Sequence, residues 1–162
     1  MLKLTDYQNC SGPLSVSALN RVVHETHSSG RRILRGIGAV LAGFFATFIL
    51  SVGTDLLLHA VGVYPPWGQP MSNALFVLAT AYRAIYTVAG GYITARLASN
   101  KPMGHVLTLG VIGLLAAIAG TVATWNKGPE FGPKWYPLAL VVLAIPCVWL
   151  GGKLAQRAIA RK

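Results

Sequence analysis

The sequence predicts an all-α fold, a membrane-spanning bundle of four transmembrane helices with both termini cytoplasmic, on three observations. Of 162 residues, 54% are hydrophobic and only 11% charged, against about 25% charged in soluble domains. Mean hydropathy is +0.55. Four uncharged or nearly uncharged stretches reach the roughly 20 residues of helix that a bilayer core requires. Finally, the basic residues gather at alternate ends of these stretches. Four such helices with short connections leave no room for a second domain.

Residues 1–32 mix Ser, Asn, Gly and His with scattered apolar side chains and read as a flexible cytoplasmic tail. Within it, "PLSVSALNRVVHETH" has the pattern of one weakly amphipathic helix. Helix 1 is expected over about 33–62, helix 2 over 71–98, helix 3 over 103–126 and helix 4 over 134–156, followed by a basic C-terminus at 157–162. Helix 1 does not read as a cleaved signal peptide. Some 30 polar residues precede it, it exceeds an h-region, and no small-residue cleavage site follows.

The net charge of +10 raises a nucleic-acid reading, so the placement of the 14 Lys and Arg decides it. Lys3, Arg21, Arg31, Arg32 and Arg35 precede helix 1, Arg96 and Lys101 lie between helices 2 and 3, and Lys153, Arg157, Arg161 and Lys162 follow or end helix 4. Only Lys127 and Lys134 fall on the other side, and Arg83 is within a span. The positive-inside rule therefore predicts an N-in/C-in protein of the bacterial inner membrane. Arg31, Arg32 and Arg35 suit anionic lipid headgroups, at about 1 kcal/mol per residue near the surface. No nucleic acid is expected as a partner; the candidates are the lipid bilayer, a second copy of the chain or another membrane protein. Cys10 in the tail and Cys147 within helix 4 read as free thiols. The sequon at Asn9 is discounted on the cytoplasmic side.

The two outer loops, "GVYPPWGQPMS" and "NKGPEFGPKWYP", are rich in Pro, Gly and aromatics. Tyr64, Trp67, Trp125, Trp135 and Tyr136 fall where an aromatic belt is expected, with Trp149 near the inner face. Pro137 suits a first turn, whereas Pro146 falls mid-helix and predicts a kink. "GGYITARLA" at 90–98 and "GGKLAQRAI" at 151–159 share Gly-Gly and a following Arg at an offset of 61, and "WGQP" and "FGP" precede the two helices at offsets of 63–64. This pattern suggests two parallel helical-hairpin repeats; convergence of Gly near an interface is the alternative. Small residues form stripes on helix 3 (Gly110, Gly113, Ala117, Gly120, Thr124) and helix 1 (Gly36, Ala39, Gly43, Thr47). Such stripes predict close helix packing in lipid.

A polar constellation lies within the spans. At 100° per residue, Thr80, Tyr86, Thr87, Gly90 and Thr94 share the face of Arg83, while Val77, Leu78, Ala81, Ile85 and Val88 lie opposite. Arg83 is expected to point into the bundle. In "SVGTDLLLHAVG", Ser51, Asp55 and His59 share one face of helix 1. Arg83 has twelve uncharged residues on each side, and Asp55 sits shallower by about 8 Å at 1.5 Å per residue. Side chains lean toward a helix's own N-terminus, so Arg83 reaches outward as Asp55 reaches inward. A charge-assisted Arg83–Asp55 pair follows, with His59, Tyr86 and Ser51 around it. Glu130 in the outer loop is the competing acid. Such a pair reads either as a pin that fixes helix pairing or as a site for a proton, ion or anionic ligand.

His59 and His105 fall at opposite ends of their helices and cannot share one haem iron. His24 and His27 lack companion ligands, and His105 reads as capping or solvating the inner start of helix 3. No phosphate loop, nucleophile elbow, HExxH motif or Cys cluster is present, so no catalytic, metal or cofactor residue is assigned and no enzyme is expected. The segments "GTDLLLH", "YPPWGQPMS", "YRAIYTVAGGYITARLA" and "GPEFGPKWYPLAL" together resemble small uncharacterised multi-pass membrane proteins of bacteria, over residues 33–155. That resemblance implies the inner membrane and carries no activity. The expected function is a structural, accessory or binding subunit. The alternative is a small transporter or channel that moves a proton, ion or small anionic solute past Asp55 and Arg83; an intramembrane enzyme has the least support.

Overall fold

The computed structural model describes residues 16–98, 101–128 and 131–161. The chain divides into two units, Met1–Leu34 and Arg35–Lys162. Four helices are present, α1 (Val16–Ala60), α2 (Asn73–Leu97), α3 (Pro102–Thr124) and α4 (Trp135–Ala160). Each contains a segment long and apolar enough to cross a membrane: Ile33–Ala60 in α1 and the whole of the other three. This is the architecture of a multi-pass membrane protein.

Two boundaries differ from the sequence expectation. Residues 16–32 belong to α1, so the helix expected within the tail runs on into the first span instead of standing apart from it. Arg157 to Ala160 continue α4, where Arg157 lies in the last turn and complements the helix dipole. Cys10, Asn9 and Glu130 lie outside the described residues, as do the side chains of His24 and His27.

Within Arg35–Lys162, α2 and α4 run parallel. Phe76 meets Tyr136 near their starts, and Gly91 lies against Val148 farther along. α1 is antiparallel to α2, with Asp55 beside Arg83 at one end and Ala39 bonded to Thr94 near the other. α4 packs along both α2 and α3. The end that carries the 61–72 and 125–134 loops is called here the aromatic end, and the opposite one the basic end.

The bundle is tight at the basic end. Val40, Ala95, Val106, Leu109, Val148 and Ala155 form its buried core, with Phe44 and Tyr92 packed against it. Glycine makes this density possible. A Cβ on Gly43 would strike Thr94 and the Gly90 carbonyl, one on Gly91 the Val148 carbonyl, and one on Gly151 the Val88 carbonyl. Backbones that approach this closely gain dispersion contact along both helices, which is how helices associate where lipid removes the hydrophobic drive. Gly36 is covered by the His105 ring, so His105 packs against α1 instead of capping α3; the α3 N-cap is Lys101, in the left-handed region at φ 47°.

The stripe on α3 behaves otherwise than expected. Gly110 packs beside Val148, but a Cβ on Gly113 or Gly120 would meet nothing within 4 Å. Here the small residues hold space open. The exterior matches a lipid solvent: Phe48, Ile49 and Leu57 of α1, Val77 and Ile85 of α2, Val122 of α3 and Val142 of α4 are all exposed. α4 continues through Pro146, which removes one backbone donor from the helix.

Candidate functional site

α1 stops where Gly62, at φ 75°, lets the chain reverse; Val63 and Tyr64 both donate back to the Leu58 carbonyl. That reversal folds the loop over the helix end, and His59 fixes it there. The His59 ring stacks on Trp67 at 3.8 Å and meets Tyr64 edge-on at 5.2 Å between centroids. Its Nδ1 lies 2.8 Å from the Asp55 carbonyl oxygen, which can only accept, so Nδ1 carries a proton.

Beneath the loop, Arg83 Nη2 donates to Asp55 Oδ2 at 2.6 Å. The other carboxylate oxygen accepts from the Tyr82 hydroxyl. Tyr64 lies 3.3 Å from the Tyr82 oxygen. Because Tyr82 spends its hydrogen on Asp55, Tyr64 is the donor in that contact, and burial of the Tyr64 phenol raises its pKa and keeps it protonated. Both oxygens of Asp55 are therefore satisfied, which is the condition under which an ion pair withdrawn from water is tolerated. The guanidinium carbon of Arg83 also sits 5.9 Å from the Tyr136 ring centroid, a cation–π contact.

The other expected members stand beside the pair without bonding to it. The Tyr86 hydroxyl is 2.9 Å from Thr54 Oγ1, and its carbonyl accepts from Thr47 at 3.2 Å, so Tyr86 ties α1 to α2. His59 acts on the Asp55 backbone and the loop. Ser51 faces a cavity that Arg83 also lines. Tyr64 is buried and Tyr136 half-buried, so both pack inside the site as well as lying at the aromatic end. Tyr82 carries the largest contact that the sequence argument lacks. The buried face of α2 holds Phe76, Ala79, Tyr82, Gly90 and Thr94 and is centred to one side of Arg83. Phe76-x2-Ala79-x2-Tyr82 at i, i+3, i+6 was the available signal. Removing the Tyr82 hydroxyl (Tyr82→Phe) should lower stability by about 1–2 kcal/mol, since it unpairs a charged acceptor; thermal unfolding in detergent reads this directly.

Two cavities meet at Arg83. The first, of about 580 Å³, opens at the aromatic end and is lined by Asp55, His59, Tyr64, Trp67, Arg83 and Tyr136 among others. The second, of about 350 Å³, lies mid-bundle, is walled mainly by apolar side chains such as Phe44, Leu143 and Val148, and reaches the exterior at Phe48. Arg83, Ala116, Ala117 and Leu140 line both. Arg83 is accordingly 31% exposed and Asp55 19%. The space comes from α3: Gly113 and Ala117 wall the mid-bundle cavity, Ala117, Gly120 and Thr124 the other. Among the described residues no group of three His, Cys, Asp or Glu side chains could hold a metal ion. Comparison with protein-family models, curated proteins and solved structures finds no match to the chain.

Proposed function

We propose that the protein is a binding or accessory component of a bacterial inner membrane, with both termini in the cytoplasm, that receives a small solute from the outer face at the Arg83–Asp55 pair. The observation that carries this reading is the cavity of about 580 Å³ at the aromatic end, within the range of ligand sites and floored by the bundle's one ion pair among the described residues. A pin needs no cavity. The charge asymmetry that supports the orientation puts Arg96, Lys101, Lys153, Arg157 and Arg161 at the basic end and Lys127 and Lys134 at the aromatic end.

A transporter or channel is the second reading. It is favoured by the mid-bundle cavity, which continues past Arg83 toward the basic end.

Access from outside is the test. In a chain with Cys10→Ser and Cys147→Ser, Gly120→Cys should react with a membrane-impermeant methanethiosulfonate added to whole cells, while Val122→Cys on the lipid face should not. Gly120 borders the cavity with room for a side chain, whereas Val122 is 72% exposed on the exterior. Equal protection at both positions would end the binding reading. Reaction of Gly120→Cys only after the inner face is opened would reverse the orientation.

A further inference from the structure

We infer that the two cavities form one site for a neutral amphiphile, with a planar, carbonyl-bearing head beside Arg83 and a single apolar chain in the mid-bundle cavity. The inference rests on the binding reading above and names the ligand class.

Charge selects the head. Arg83 is already compensated by Asp55, whose two oxygens are filled by Arg83 and Tyr82. An anion added here would leave one uncompensated negative charge in a site of low dielectric constant, which is costly. A neutral carbonyl adds no charge and accepts what remains on offer. Of the two terminal nitrogens of Arg83, only Nη2 has a partner among the described residues, and the side chain is 31% exposed. Tyr136, whose ring centroid lies 5.9 Å from the Arg83 guanidinium carbon, lines the same cavity. The surrounding surface suits a flat ring: Tyr64, Trp67, Phe76, Phe131 and Tyr136 all line this cavity, and aromatic walls bind planar conjugated groups by stacking.

The mid-bundle cavity selects the tail. Its polar groups are mostly occupied, since Thr47 donates to the Gly43 and Tyr86 carbonyls and Thr87 to the Arg83 carbonyl. What is left is a mainly apolar groove, open at its rim where Phe48 reaches the exterior, and such a surface takes an apolar chain. It adjoins the head cavity across Arg83, Ala116, Ala117 and Leu140, so one molecule can occupy both. A short-chain quinone has this form.

The native thiol Cys147 lines the tail chamber and reports on it without altering the site. In purified full-length protein with Cys10→Ser, decylubiquinone should slow alkylation of Cys147 by N-ethylmaleimide at least ten-fold by intact mass. Duroquinone, a head with no chain, should leave Cys147 reactive yet protect Gly120→Cys in a chain with Cys10→Ser and Cys147→Ser. Sodium decanoate, a chain with a charged head, should protect neither. Neither ring has a free position for a thiol to add to. If decylubiquinone protects Gly120→Cys but not Cys147, the joined site is overturned and the outer binding site stands. If decanoate protects as well as decylubiquinone, the neutral head is overturned. Protection at neither position overturns both this inference and, if the methanethiosulfonate also fails, the binding reading beneath it.

Discussion

Replacing Asp55 with Asn should destabilise the protein by about 3 kcal/mol, the lower end of the range for breaking a buried ion pair, because both side chains keep some exposure. The amide still offers an oxygen to Arg83, so the loss reports the charge left unpaired in an apolar bundle. Arg83→Leu in the same chain should recover at least half of it, because that change removes the orphaned cation. Urea or dodecyl sulfate unfolding of the single and double variants completes the cycle. A full recovery identifies the pair as dispensable for folding, and its retention then belongs to the cavity it floors. An Asp55→Asn protein as stable as the parent would show that water reaches the pair well enough to solvate either charge alone.

The second large effect concerns backbone contact. Gly151→Val should cost about 3 kcal/mol or more, at the upper end of overpacking penalties. The new side chain would enter the Val88 carbonyl and approach the Tyr92 nitrogen at 2.8 Å, and a helix backbone has no rotamer with which to yield. Gly91→Val should behave alike through Val148. Gly113→Ala is the contrast. It fills open space and should be neutral or stabilising by up to about 1 kcal/mol, the helix preference of Ala over Gly. Melting temperatures measured side by side in one detergent would separate the two classes; equal losses at Gly113 and Gly151 would sink the distinction between packed and open glycines.

The helices were legible because lipid imposes a simple rule: length and the absence of charge suffice to mark a span. Arg83 and Asp55 were legible for the same reason, since two opposite charges in hydrocarbon have few alternatives to each other. Tyr82 was not, because a tyrosine beside an arginine in sequence sits 100° around the helix, and a wheel centred on the charge assigns it to neither face. The glycines of α3 were misread on physical grounds as well. A small residue permits close approach and equally permits a void, and only the placement of its neighbours decides which. Composition places Trp67 and Tyr64 near the membrane boundary, but their contacts with His59 depend on the reversal at Gly62, which composition does not show.

Gly43 on Gly90 and Gly91 on Val148 bring backbone against backbone, with only the Thr47 and Thr94 hydroxyls tucked into the first crossing. Toward the aromatic end, α1, α2 and α4 face α3 across empty volume. The bundle thus joins a base closed by backbone contact to a rim that encloses space, and across that rim its helices are tied by side chains: Asp55 to Arg83, Thr54 to Tyr86 and Phe76 to Tyr136.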